Sequence, residues 1–168
     1  MKALKVFCLS VLCTVMVAST SLAAEAKIAY FDLAKVFDNY QKTKEFDAVL
    51  QSQGEAFQKT RDAMIQKIQD AQNKLALMSD AEKTNLQADI DKQKDAVIAY
   101  DKQKREELTQ RRDDKVREIL GDIQGVVTGI AKKDGYTFVL NNRVLVYGDP
   151  QYDITSEVMK SLNESYKQ

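Results

Sequence analysis

The sequence predicts an α+β fold: a small β body that oligomerises to complete its core, carrying a long antiparallel α-helical hairpin as an arm. Three observations predict it. From Gln41 to Lys115 there is no proline and one glycine, and 30 of the 75 residues are charged, a composition that suits a solvated helical hairpin better than a packed domain. Apolar residues in that stretch recur at steps of four or seven, the spacing of one helix face. Short runs rich in aromatic and β-branched residues flank it on both sides.

The first element is an export signal over residues 1–23. Lys2 and Lys5 form a basic start, Val6 to Ala18 an apolar run of 13 residues, and Ser21-Leu22-Ala23 a small-x-small cleavage site. The run is shorter than the ~18 to 20 apolar residues of a membrane span. Cleavage after Ala23 is expected, although Ala24-Glu25-Ala26 has the same pattern and would make Lys27 the first residue. Cys8 and Cys13 both lie inside the signal, preceded by Phe7 and Leu12, where a lipoprotein site needs a small residue. The processed chain therefore has no cysteine for a disulfide or a thiolate metal site. Residues 24–168 form one domain, with the body drawn from 27–40 and 118–168 and the arm from 41–117.

Lys27 to Phe31 is a β-type run, and Asp32 is placed to cap the helix that follows. Val36, Phe37, Tyr40, Phe46, Leu50, Phe57, Met64, Ile68 and Leu75 then mark one face of a helix running from Leu33 to Leu77. Ser79-Asp80-Ala81-Glu82 matches a capping box and starts a second helix, to about Lys133, along Leu86, Ile90, Val97, Leu108, Val116, Ile119, Ile123, Val126 and Ile130. With so short a link the two helices fold back on each other. Gly135 ends the second helix in a position that favours positive φ. Two strands, Tyr136 to Leu140 and Arg143 to Tyr147, follow as a hairpin turned at Asn141-Asn142. Gly148-Asp149-Pro150 breaks the second strand, and Asp153 or Thr155 caps a final helix bearing Ile154, Val158, Met159 and Leu162.

Composition speaks against catalysis. There is no histidine, and no GxSxG, P-loop, GxGxxG or HExxH pattern. Asp89-Ile90-Asp91 lacks the glycine and terminal glutamate of a calcium loop and sits within a helix. No cofactor or metal ion is implied. Removing the two lysines of the signal leaves 23 basic against 25 acidic residues, which gives no electrostatic reason to bind nucleic acid.

The arm is informative through what its seam lacks. From Asp101 to Lys115 the only large aliphatic residue is Leu108, so no continuous dry core can join the helices there. Such a seam suits either a wet spacer laced with ion pairs or an arm that meets foreign apolar chains. On the second reading the candidate contacts are Phe57, Met64, Ile65, Met78, Leu86, Val97, Tyr100 and Leu108, methionine being adaptable in shape. Gly121, Gly125 and Gly129 interrupt the second helix at four-residue spacing, and their expected role is close packing against Val36, Phe37 and Tyr40, with a hinge at the arm's root as the alternative.

Both faces of the strands are apolar. A body of roughly 70 residues can cover one face with its own helices and needs a second copy for the other. The candidate oligomer core is Ile28, Tyr30, Tyr136, Phe138, Leu140, Leu145 and Tyr147.

Lys27-Ile28-Ala29-Tyr30-Phe31-Asp32-Leu33 leading into Val36-Phe37, the charged hairpin, Gly135-Tyr136-Thr137-Phe138-Val139-Leu140 and Asp153-Ile154-Thr155-Ser156-Glu157-Val158 together resemble the Skp or OmpH family of periplasmic chaperones. The resemblance implies a homotrimer with a β-barrel body and three arms around a cavity. It further implies ATP-independent holding of unfolded outer-membrane β-barrel proteins in the periplasm. An envelope adaptor whose hairpin docks on another protein is the rival reading. One departure stands out: arms in this family are often strongly basic, whereas residues 41–115 here carry 15 basic and 15 acidic residues. Charge thus gives no support for contact with anionic lipid or lipopolysaccharide.

Overall fold

A computed structural model of the chain describes residues 26–167. The export signal read over residues 1–23, with Cys8 and Cys13, lies outside the described residues. Strand β1 (Ile28–Phe31) leads into α1 (Leu33–Asn39), α2 (Gln41–Leu75) and α3 (Asp80–Asp134), then β2 (Phe138–Asn141) and α4 (Thr155–Tyr166). Single 3₁₀ turns at Asn142–Val144 and Pro150–Tyr152 lie between β2 and α4. Helices α2 and α3 make the hairpin, with lengths of about 52 and 82 Å for their 35 and 55 residues.

Local chemistry accounts for the boundaries. The Asp32 carboxylate accepts from the Lys35 N–H at 2.9 Å and caps α1. That bond holds its carboxyl below the ordinary range. The capping box at Ser79 and Glu82 is formed, and the Ser79 N–H donates to the Glu82 carboxylate at 3.3 Å. Gly135 ends α3 at φ 72°, as its place after Asp134 predicts, and the Tyr136 N–H donates to the Ala131 carbonyl at 2.9 Å. At the start of α4, Asp153 Oδ1 accepts from the Thr155 N–H at 2.8 Å.

Three expectations are corrected. The first helix is not continuous to Leu77: it breaks at Tyr40, which is extended (φ −66°, ψ 130°), and α2 ends at Leu75. Neither proline nor glycine marks the break. Tertiary contacts of the buried Tyr40 side chain decide it, since its hydroxyl donates to Asp122 Oδ2 at 3.2 Å and its ring stands edge-on to that of Tyr166.

The second expected strand, Arg143 to Tyr147, is absent, and the sheet has two strands rather than three. Local bonds take up two of its N–H groups instead: Asn141 Oδ1 accepts from the Arg143 N–H at 3.2 Å, and the Leu145 N–H donates to the Asn142 carbonyl at 3.0 Å. β1 and β2 pair in parallel, Ile28 opposite Phe138 and Tyr30 opposite Leu140, and Tyr30 forms an isolated bridge to Asp153 on the other side.

The glycines of α3 are not packing sites within this chain. A Cβ built on Gly121, Gly125 or Gly129 meets no atom within 4 Å. Gly148 differs, because a Cβ there would stand 2.6 Å from the Tyr30 ring, whose hydroxyl donates to the Gly148 carbonyl at 3.2 Å.

One core organises the body. Ala29 and Phe31 from β1, Val36 and Tyr40, Ile119, Ile123 and Ile130 from α3, and Ile154, Val158 and Leu162 around α4 are buried together. Strand alternation sends Ala29 and Phe31 into this core and leaves Ile28 and Tyr30 on the opposite face.

Candidate functional site

The outward sheet face is the first candidate surface. Ile28, Tyr30, Phe138 and Leu140 share it through the β1–β2 register. Phe138 is 56% exposed and Tyr147 79%, with Ile28, Val144, Val146 and Tyr152 also open. Beside them a groove of about 750 Å³ is lined by Ile28, Tyr30, Leu140, Leu145, Tyr147 and Tyr152. Six of the seven residues expected to form an oligomer core therefore lie on this face or its groove. Tyr136 does not: it packs against the chain's own helical core, with the Lys27 ammonium 4.4 Å from its ring centre.

The second candidate surface is the arm. Between Thr43 and Ile119 the described side chains include only three buried ones, Phe57, Ile68 and Ile90. Phe57 is 7% exposed and packs on Tyr100 with ring centres 5.7 Å apart, so it is a seam residue and not a free contact. Tyr100 lies directly across the hairpin and covers much of it, and the rest of Phe57 borders two hollows. Met64 and Leu86 line one open hollow, together with Ala71 and Ala96. Leu108 lines hollows on both sides of the seam next to Phe57. Ile65 and Val97 are half-buried, and Met78 is exposed at the turn.

Some features escaped the sequence reading. Leu77 at the tip is 89% exposed and Ile98 on α3 is 67% exposed. At the root, the Lys42 ammonium bridges Glu118 (2.5 Å) and Asp122 (2.7 Å) across the hairpin. Partial burial opposes the charge on Lys42, but the hydrogen bonds to the two carboxylates prevail and hold its pKa above the ordinary value. Burial and the Asp122 carboxylate push the Tyr40 phenol up to about 12. Further out, Arg61 pairs with Asp101 at 3.3 Å. Many other arm pairs, such as Arg105 with Asp101 and Lys104 with Glu107, lie within one helix, partly open to water, and contribute little. Charge spacing of three and four residues signals the pairs within one helix, whereas the cross-hairpin pairs and the exposed Leu77 and Ile98 depend on which faces meet, which periodicity does not tell.

Among the described residues no cluster of three or more acidic side chains could hold a metal ion, and no helix is long and apolar enough to cross a membrane. A body with an uncovered apolar sheet face, bearing an arm with scattered apolar hollows between charged flanks, is the build of a protein that binds other polypeptides. Comparison with known proteins agrees with that class. Residues 27–162 match the family described as outer membrane protein, OmpH-like. The Skp chaperone of Yersinia enterocolitica is 26% identical over 162 residues, covering 94% of this chain and 98% of that protein. The Skp chaperone of Vibrio cholerae is 31% identical over 163 residues, covering 92% and 93%. A solved structure from Caulobacter crescentus, described as an OmpH-like outer membrane chaperone, superposes with a TM-score of 0.77 over 83% of this chain and 85% of that one; at 11% identity it speaks for the fold. The chain belongs to the Skp/OmpH family, as its strand, hairpin and closing-helix motifs led us to expect.

Proposed function

We propose that this protein is an ATP-independent holding chaperone of the periplasm, exported by its N-terminal signal, that keeps unfolded outer-membrane β-barrel polypeptides from aggregating. Three copies join through the outward face of the β1–β2 sheet, and their arms enclose a wet cavity. The single observation that carries this reading is the sparse seam: among the described side chains between Thr43 and Ile119 three are buried, with Met64, Leu86 and Leu108 left lining open hollows. Contacts of this kind are individually weak and spread out. Several arms acting on one client would multiply them, and a client whose strand edges are covered cannot pair with another client. The chaperone names of the relatives support the reading.

The exposed pair Leu77 and Met78 favours a second reading, an adaptor that docks by its tip. Light scattering by a diluted, unfolded outer-membrane barrel protein tests both readings. The purified protein should suppress aggregation without nucleotide, and the double substitution Leu77→Ser, Met78→Ser should leave most of the suppression intact. Absence of suppression by the wild-type protein would count against the holding role. Loss of it in the tip variant alone would favour the adaptor geometry.

A further inference from the structure

Helix α2 begins at Gln41 with no cap of its own, because Tyr40 in the capping position makes no side-chain bond to it. The acceptor comes from the far end of the chain. The Gln41 N–H donates to Asn163 Oδ1 at 2.8 Å, and Asn163 is oriented by its Nδ2, which donates to the Met159 carbonyl at 3.1 Å. Nearly one turn further along α4, the Tyr166 hydroxyl donates to Glu45 Oε2 at 2.6 Å, and its ring stands 5.8 Å from that of Tyr40 at 74°. Three contacts thus tie the last turn of α4 to Tyr40 and to Gln41 and Glu45 at the start of α2.

The other end of α4 is fastened to the sheet. The Ile154 N–H donates to the Tyr30 carbonyl at 2.9 Å, and the Asp32 N–H donates to Thr155 Oγ1 at 2.9 Å. Val158 and Leu162, between the two ends, are fully buried. The 12-residue helix therefore spans from the sheet to the root of the arm. What it spans is a joint: Tyr40 is the single non-helical residue between α1 and α2, so a change of its ψ would swing α2 against the body. On α3, Gly121 and Gly125 flank Asp122, the partner of Tyr40, and Gly129 lies one turn further on; a Cβ on any of the three would meet open space. Glycine there lowers the resistance of α3 to bending.

We propose that α4 is a strap that sets the angle between arm and body, with Tyr40 as the joint it crosses and Asn163 and Tyr166 as positioning residues. Freeing its last turn loosens the arm while the body stays folded. This holds whatever the arm binds.

The test uses the processed chain, residues 24–168, which has no cysteine of its own. Spin labels on Leu77→Cys at the tip and Gln151→Cys on the body report the arm-to-body distance distribution, with labelled subunits diluted into unlabelled ones. The substitutions Asn163→Ala and Tyr166→Phe together should broaden that distribution. They should also speed amide exchange in the first turn of α2 by roughly tenfold, the loss of a helix cap and a charge-assisted hydrogen bond. Exchange at Val158 should not change. With Tyr166 intact, Asn163→Asp, which keeps the acceptor for the Gln41 N–H but loses the donor to the Met159 carbonyl, should give a narrower distribution than Asn163→Ala. An unchanged distribution in the double variant overturns the proposal. So does loosening that appears only together with lost protection at Val158, since the arm would then be following a body that has come apart.

Discussion

Replacing Phe138 by aspartate separates the two faces of the sheet. Phe138 sits opposite Ile28 on the outward face, away from the buried core of Ala29, Phe31 and the helices, so the monomer should tolerate the change. The assembly should not. A phenylalanine buries about 200 Å², and with Phe138 56% exposed roughly 110 Å² of it awaits cover, worth about 2.8 kcal/mol at ~25 cal/mol per Å². Three copies sharing one core would lose about 8 kcal/mol, nearly six powers of ten in the assembly constant, before the desolvation of three carboxylates is added. Sedimentation at micromolar concentration, with circular dichroism as a check on folding, measures the outcome. The variant should be monomeric and retain its helical signal. A variant that still assembles like wild type, or a wild type that sediments as a monomer, refutes the shared-core reasoning.

The arm and root yield further expectations. Gly54→Ala places a methyl where no atom lies within 4 Å and should stabilise α2 by up to about 1 kcal/mol, read as slower amide exchange in the arm. Gly135→Ala, at φ 72°, should instead destabilise by about 1 kcal/mol or more in a denaturant melt. Phe57→Ala empties the seam beside Tyr100 and should cost about 3 kcal/mol of local stability, with exchange rising in the arm and the body unaffected. The pH dependence has a defined sign at each end. Hydrogen bonds from Lys115 and Lys42 lower the Glu118 carboxyl, and one from Tyr166 lowers that of Glu45, below the ordinary 4.5. Their contribution is complete above that value and is lost as pH falls through the lowered ones, so thermal melts should weaken in acid and Lys42→Met should flatten that limb. Tyr40, raised from 10.0 to about 12, contributes fully below pH 10 and loses its contribution between the two values; Tyr30 and Tyr166 are raised as well, and the last tyrosine to ionise in an ultraviolet titration should be the one that Tyr40→Phe removes.

Much of this molecule was legible from local chemistry. Asp32, Ser79 with Glu82, and Gly135 each act through bonds to neighbours in sequence, and each marks its boundary as read. What was not legible depends on partners far along the chain. Tyr40 breaks a helix that its own neighbours would continue, because Asp122, Asn163 and Tyr166 hold it and the residue after it. Arg143 to Tyr147 alternates like a strand, but among the described residues no strand pairs with it, and local turns take the Arg143 and Leu145 N–H groups. The same limit applied in the arm. Helical periodicity put Phe57 and Met64 on one face, and only the hairpin's pairing showed that Phe57 is buried against Tyr100 at the edge of two hollows while Met64 opens into a third.

Removal of the arm tests the holding role most directly. Deleting residues 54–108 and closing the gap with a short turn removes the seam and its hollows, but spares the Lys42–Glu118–Asp122 bridge and the core around Ile119 and Ile123. The shortened protein should keep the oligomeric state of the full chain and fail to suppress aggregation of an unfolded outer-membrane barrel protein. Suppression equal to that of the full chain would contradict capture between the arms.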